Sequence, residues 1–253
     1  MPRTSQACRR SPALGTGIAL QIIQPGPSVA ESQILTVDIG GSHVKLWKFN
    51  QRKPVKIPSG PQFTPQDLAH ELPKWLSGWN YSVASVGFPS PVKEGQPVKD
   101  PKNLGPGWKK LDFGKLLGCP TRVVNDALLQ ALGCYRGGRM LFLGLGTGLG
   151  SALILDRILL PLELSELPYK KKGKTLEDYL GNAGRLRLGI KRWSKHLWEV
   201  IARLQAAFLV DYVVLGGGNA KRLVSTPPGV IRETNRAALQ GGIRLWKESW
   251  VLA

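Results

Sequence analysis

The sequence predicts an α/β protein of two lobes facing each other across a cleft, and three observations predict it. A strand–glycine turn–strand unit occurs twice, at 34–49 and 140–155. Short β-branched runs alternate with stretches of helical periodicity along most of the chain. The 253 residues, 42% of them hydrophobic and eight of them Trp, suffice for a substantial core. Two related halves that face one another enclose a cleft.

Each element follows in order. Residues 1–32 hold a single acid, Glu31, and a Pro25-Gly26-Pro27 centre that interrupts regular structure, so they are expected to form a disordered basic arm. Runs at 34–37 and 44–49 read as strands about a glycine-rich turn, with a third strand at 55–57. Leu68, Leu72, Trp75 and Leu76 recur at helical spacing across 65–79, and 81–88 reads as a strand. Residues 89–120 are rich in Pro and Gly and read as a long loop with a short helix near 112–117. A strand at 122–124 precedes a helix at 127–135, and a second glycine hairpin joins strands at 140–145 and 151–155. A basic loop fills 168–176. Ile190, Trp193, Leu197, Ile201, Leu204 and Phe208 then form one apolar stripe on a helix over 189–208. A strand at 212–215 runs into three glycines, and a helix at 235–246 closes the fold. The expected lobes are 33–124 plus 235–253 for the smaller and 125–234 for the larger.

Composition excludes several classes. Cys8, Cys119 and Cys134 are too few and too scattered for a disulfide framework or a zinc ribbon. The longest apolar runs, such as 158–162, are too short to cross a bilayer, so a soluble, cytoplasmic protein without a membrane partner is expected. Thirty-five Lys and Arg against seventeen Asp and Glu leave a formal charge of +18. A field of that sign attracts polyanions, whether nucleic acid, anionic lipid or a phosphate-rich substrate; a merely solubilising surface is the plainer alternative.

Three glycine clusters carry the chemistry. In Asp38-Ile39-Gly40-Gly41-Ser42-His43-Val44-Lys45, the absent Cβ atoms let backbone N–H groups approach an anion. Asp38, at a strand end, can face the same phosphate through a water-bound Mg²⁺. Taken alone, the segment is more simply read as a hairpin turn. Gly146-Thr147-Gly148-Leu149-Gly150 repeats the pattern but is neither a Walker loop nor a dinucleotide fingerprint, since no Gly-Lys-Ser/Thr and no helix follow it. Gly216-Gly217-Gly218-Asn219 follows a strand and completes the set. Asp126 precedes a helix, where a carboxylate is either an N-cap or a catalytic base.

This order resembles the ROK family of sugar kinases in the actin-like ATPase (ribonuclease H-like) superfamily. It is carried by DIGGSHVK (38–45), GFPSPV (87–92), NLGPGW (103–108), VVNDALLQALG (123–133), LFLGLGTGLGSALI (141–154), PLELSELPY (161–169), GKTLEDYLG (173–181), KRW (191–193) and VVLGGGNAK (213–221). Several of these stretches look like the polyphosphate glucokinase branch. The resemblance implies a two-lobed actin-like fold and Mg²⁺-dependent phosphorylation of glucose at O6, with inorganic polyphosphate, ATP or both as donor. It implies phosphate binding by Asp38, Gly40, Gly41, Ser42, Lys45, Gly146, Thr147, Gly148, Gly150, Gly216, Gly217, Gly218 and Asn219. It makes Asp126 the base that takes the proton of the sugar hydroxyl. Asn103, Asn125, Asp126, Glu163, Glu166 and Glu177 match positions that bind sugar. A homodimer is suggested by the resemblance alone, and nucleic acid is not the expected partner.

Four departures stand out. The Cys cluster of the family's zinc motif corresponds here to YKKKGKTL (169–176), so no zinc is expected. The Glu-x-Gly-His sugar motif reads Glu163-Leu164-Ser165-Glu166, which sets a second carboxylate near Glu163 and is expected to raise a pKa by like-charge repulsion. Ser90 and Arg157 stand where the family has turn glycines. Lys170, Lys171, Lys172 and Lys174 flank the sugar loop, and Arg187, Lys191 and Lys195, with Arg192 beside them, share one helix face. That face is either simply solvated or a track for linear polyphosphate. The competing class is a binding protein: a catalytically weakened sugar- or polyanion-binding relative.

Overall fold

The computed structural model describes residues 20–233 and 236–253. The strands are β1 (Gln21–Ile23), β2 (Ile34–Ile39), β3 (His43–Trp47), β4 (Val55–Pro58), β5 (Val83–Phe88), β6 (Val92–Lys93), β7 (Gln96–Pro97), β8 (Thr121–Asn125), β9 (Arg139–Leu145), β10 (Leu149–Leu155), β11 (Ile158–Leu162), β12 (Tyr212–Gly216), β13 (Val230–Arg232) and β14 (Trp250–Leu252). The helices are α1 (Pro65–Leu76), α2 (Phe113–Leu117), α3 (Asp126–Cys134), α4 (Leu176–Leu180), α5 (Asn182–Phe208) and α6 (Ala237–Lys247).

Two sheets carry the lobes. The smaller runs β4-β3-β2-β5-β8, and the larger β1-β14-β11-β10-β9-β12-β13. In each, three antiparallel strands are followed by two added in parallel: β4-β3-β2 then β5 and β8, and β11-β10-β9 then β12 and β13. The duplication read from two glycine hairpins thus extends to five strands per lobe.

Helices α3 and α6 pack on each other between the two sheets. The α1–α2 layer covers the smaller sheet, and α4–α5 the larger. A capping box fixes the start of α1: Thr64 accepts from the Asp67 N–H while Asp67 accepts from the Thr64 N–H, with Pro65 at the first helical position. The helix ends at Leu76, short of the expected 79, because Gly78 turns left-handed at φ 73°.

Several expectations are corrected. Residues 20–32 do not all form an arm: β1 pairs antiparallel with β14, Gly26 N–H donates to the Trp246 carbonyl, and Val29 is buried. The remainder of the expected arm, 1–19, lies outside the described residues. That strand pairing joins the two ends of the chain, so no local pattern announces it. For the same reason β14 belongs to the larger sheet and not to the smaller lobe. Strand β8 carries Asn125 in the smaller sheet, one residue past the expected boundary. The expected long helix is present from the break at Gly189 (φ 72°) to Phe208; what the sequence did not show is the short helical segment from Asn182 that precedes the break, so that α5 as a whole runs Asn182–Phe208. The closing helix begins at Ala237, and the expected start, Asn235, lies outside the described residues. The glycine missing at 157 has a visible consequence. Asp156 and Arg157 both take left-handed φ (45° and 74°), and Arg157 is held there by Glu248, the Ser249 carbonyl and the face of Trp250.

Candidate active site

A cleft of about 540 Å³ opens between the lobes. The β2–β3 turn brings Gly40, Gly41 and Ser42 to it, and the β9–β10 turn brings Gly146, Thr147, Gly148 and Gly150. The two turns meet: Ser42 Oγ and Thr147 Oγ1 lie 3.3 Å apart. The third cluster is tied to the second by Asn219, whose backbone N–H donates to Leu145 O at 2.9 Å and whose Nδ2 donates to Gly146 O at 3.0 Å. Gly217 permits this approach, since a Cβ there would lie 2.5 Å from Leu145 O and φ is 81°.

Asp38, one residue before the end of β2, is almost fully buried and accepts from Lys45 Nζ at 2.7 Å. This contact raises the Lys45 pKa above the ordinary lysine value. Asp126 opens α3 and lines the cleft. The cap itself is Asn125, whose Oδ1 accepts from the Ala127 and Leu128 N–H groups at 3.0 and 3.3 Å. Asp126 is thereby spared the capping role, although its Oδ1 accepts from the adjacent Ala127 N–H at 2.7 Å. Burial, and then the nearby Asp38 charge, push Asp126 up to about 7, against the opposing pull of the Ala127 N–H and Lys45.

Asn103, Glu163, Glu166 and Glu177 line the same cleft. Glu177 Oε2 accepts from the Leu149 N–H at 3.1 Å, so it braces the second glycine turn as well. Glu166 accepts from Lys102 Nζ, which comes from the other lobe. Glu163 is exposed to the cleft, and no hydrogen bond fixes its carboxylate among the described residues. Desolvation within the cleft raises its pKa; Glu166 and Glu177 push the same way, Lys99 and Lys102 against. The like-charge effect expected from Glu166 is present but second to desolvation.

Of the expected phosphate-binding residues, Gly216 alone does not line the cleft. It ends β12 in the core, where a Cβ would lie 2.5 Å from the Phe142 ring, so the glycine serves packing. The expected basic track lies outside the cleft too: none of Lys170, Lys171, Lys172, Lys174, Arg187, Lys191, Arg192 or Lys195 lines it. Lys170 pairs with Glu199, Lys174 with Asp178, and Arg187 lies over Tyr179. The basic loop is fastened by Tyr169, whose hydroxyl donates to Glu199 Oε2 at 3.0 Å and lies 3.0 Å from His196 Nδ1.

Among the charged and amide or imidazole side chains of the lining, sequence reasoning missed His43, Lys99, Asp100, Lys102, Gln130 and Asn182. The two lysines sit in the long loop before α2, which has no periodicity; only the step from Lys102 to Asn103 hinted at them. Ser90, the other lost turn glycine, is buried and donates to the Lys99 carbonyl at 3.2 Å, holding that loop. Six carboxylates (Asp38, Asp100, Asp126, Glu163, Glu166, Glu177) and three lysines (Lys45, Lys99, Lys102) line the cleft, so it is acidic inside a strongly basic chain. No group of three or more His, Cys, Asp or Glu side chains among the described residues is arranged to hold a metal by itself. Nor is any described helix long and apolar enough to cross a membrane.

Two sheets of one topology, packed on a shared helix pair and bearing a glycine turn each on the cleft, define the actin-like ATPase fold as ROK-family sugar kinases have it. The chain is similar to the polyphosphate glucokinase of Mycobacterium leprae (strain TN), with 23% identity over 209 residues. That match takes in 74% of this chain and 63% of the relative's length. Among solved structures, it is similar to the inorganic polyphosphate/ATP-glucomannokinase of Arthrobacter sp. strain KM, with TM-score 0.70 and 24% identity over 83% of this chain and 96% of that one. It is also similar to a ROK family transcriptional regulator, a homologue of the E. coli MLC protein, with TM-score 0.62 and 15% identity over 85% of this chain and 78% of that one. No family model matches the sequence.

Proposed function

We propose that the protein is a cytoplasmic sugar kinase that phosphorylates glucose at O6, with inorganic polyphosphate as main donor and ATP as a second. The observation that carries the reading is Asp126: a carboxylate on the cleft wall with a pKa near 7, beside Asp38 and Lys45 and in the same cleft as Glu163. Asp126 takes the proton of the 6-hydroxyl as that oxygen attacks the terminal phosphorus. The new O–P bond forms while the bond to the bridging oxygen breaks, and the shortened polyphosphate or ADP leaves with that electron pair. A base matched to neutral pH suits this transfer.

The three glycine turns line the cleft where the donor would bind, although the Gly40 N–H already donates to His43 O and the Gly146 N–H to the Gly144 and Gly148 carbonyls, and Lys45 supplies a cation beside them. Glu163 has a carboxylate without a fixed partner to offer adjacent sugar hydroxyls, joined by Asn103 and by the amide N–H groups of Asn125 that capping leaves over. A polyanion entering an acidic cleft needs a counter-charge, and Mg²⁺ fits the oxygen donors present: Lys45 takes one Asp38 oxygen, and an ion held through water by the other, and by donor phosphates, would offset charge on the transferring group. Helix α5 starts at Asn182 on the cleft, where its N–H donates to Thr147 O; Arg187 follows in its short first segment, and Lys191, Arg192 and Lys195 lie beyond the break at Gly189, all outside the cleft lining. That is the course a long polyphosphate follows out of the site. The similarity to a polyphosphate glucokinase and a polyphosphate/ATP-glucomannokinase supports the donor assignment.

A coupled assay for glucose 6-phosphate, with polyphosphate or ATP in the presence of Mg²⁺, tests the reading. Turnover with polyphosphate exceeding that with ATP is expected. Absence of product with either donor, with retained sugar binding in calorimetry, would favour the binding-protein alternative, for which the engagement of Glu166 by Lys102 is the supporting observation.

A further inference from the structure

Helix pair α3–α6 joins the lobes on one side of the cleft: Ser85 Oγ of the smaller sheet donates to Gly242 O at 2.7 Å, Arg244 Nη1 of α6 donates to the Leu132 and Tyr135 carbonyls at 2.6 and 2.8 Å, and α3 packs on β10 of the larger sheet. The open side is bridged differently. There Lys102, from the loop between β7 and α2 of the smaller lobe, donates to Glu166 at the end of the Leu164–Glu166 turn of the larger lobe. The two side chains are 65% and 58% exposed, so neither is held by packing. Lys102 also faces the charges of Glu177 and Glu163, and its pKa is raised first by the bond to Glu166. The pair therefore exists only while the lobes are this close, and both residues line the cleft, Lys102 next to Asn103 and Glu166 three residues after Glu163 in the chain.

We propose that Lys102 and Glu166 form a latch that closes the cleft over the acceptor, with Lys102 a positioning residue that the reaction does not touch. The assignment of the occupant as a sugar rests on the kinase reading above; the latch itself rests on the geometry. Opening breaks one charge-assisted hydrogen bond across the mouth, and closing re-forms it and presents Glu166 in a fixed orientation to whatever lies within. An exposed pair shifts an equilibrium modestly, so acceptor KM should change by about two- to fivefold when the pair is cut, and the change should shrink in high salt.

The test separates closure from catalysis. Nitroxides on Lys109→Cys and Leu167→Cys, one in each lobe and both exposed, report the interlobe distance by pulsed electron resonance once Cys8 and Cys119 are replaced by Ser. Lys102→Glu should move the distance distribution to longer values, and the charge-swapped Lys102→Glu/Glu166→Lys should restore it. In steady-state kinetics, Lys102→Met should raise KM for glucose while leaving donor KM unchanged. An unaltered distribution in Lys102→Glu, or a swap that fails to restore it, overturns the latch. The distance comparison decides the latch whether or not the protein phosphorylates a hexose, so failure of the kinase reading remains a separate result.

Discussion

Asp126 shows how much one position depends on its neighbours. Asn125 takes the cap, burial and Asp38 raise the carboxylate to about 7, and Lys45 limits the rise. For a base of that pKa, log kcat/KM should climb with pH up to about 7 and level off above it. Asp126→Asn keeps the shape but cannot accept the proton, so kcat should fall by about two to four orders of magnitude with little change in sugar binding. Stability should move the other way. The folded pKa lies above the ordinary 3.8, so the folded state holds the proton more tightly than the unfolded chain. Whatever Asp126 contributes is present below about pH 4 and is lost as pH rises through 7. The melting temperature of Asp126→Asn, relative to wild type, should therefore increase between pH 4 and 7. Steady-state kinetics and thermal melts on the same samples check both; near-normal turnover would remove Asp126 as the base.

Helices α3 and α6 act as one element. Their backbones touch: a Cβ on Gly241 would lie 1.8 Å from Leu129 O, and one on Gly133 would lie 1.9 Å from Ala237 O. Because the obstacles are backbone atoms, no rotamer change can relieve them. Gly241→Ala should cost about 1–3 kcal/mol or more in urea unfolding, the penalty for overpacking. It should also lower kcat, because α3 carries Asp126 at its first residue. A variant as stable and active as wild type would show that the two helices can part freely, and that the hinge side of the cleft is softer than this packing implies.

Over the whole molecule, the distribution of charge matters more than its total. The formal +18 is spread outside a cleft lined by twice as many carboxylates as lysines. A polyanion is thus drawn to the surface and admitted to the site only with a cation beside it. Polyphosphate-dependent turnover should fall steeply as salt is raised, since exposed cationic contacts are screened and counterion release becomes less favourable. Replacing Lys191, Arg192 and Lys195 by Gln should weaken polyphosphate use several-fold more than ATP use. Donor titrations at two salt concentrations measure this, and equal losses with both donors would show that the α5 face is only solvated.

What the sequence determined by itself was local in origin. Glycine turns after β-branched runs, apolar stripes at helical spacing and the order of three glycine clusters are each written within a few residues, and together they marked both hairpins, most helices and the glycine-rich part of the cleft lining. Tertiary structure alone decided the rest. The β1–β14 pairing joins chain ends some 230 residues apart and leaves no periodic trace. Gly216 looks like its neighbours in sequence, and only the Phe142 ring beside it shows that it serves packing. The basic residues of α5 repeat every four positions wherever that face points, and only the position of the helix set them outside the cleft. Lys102 and Glu166 lie 64 positions apart in different lobes. Propensity and periodicity are properties of neighbours along a chain, whereas an ion pair across a cleft depends on how two separately folded sheets come to face each other.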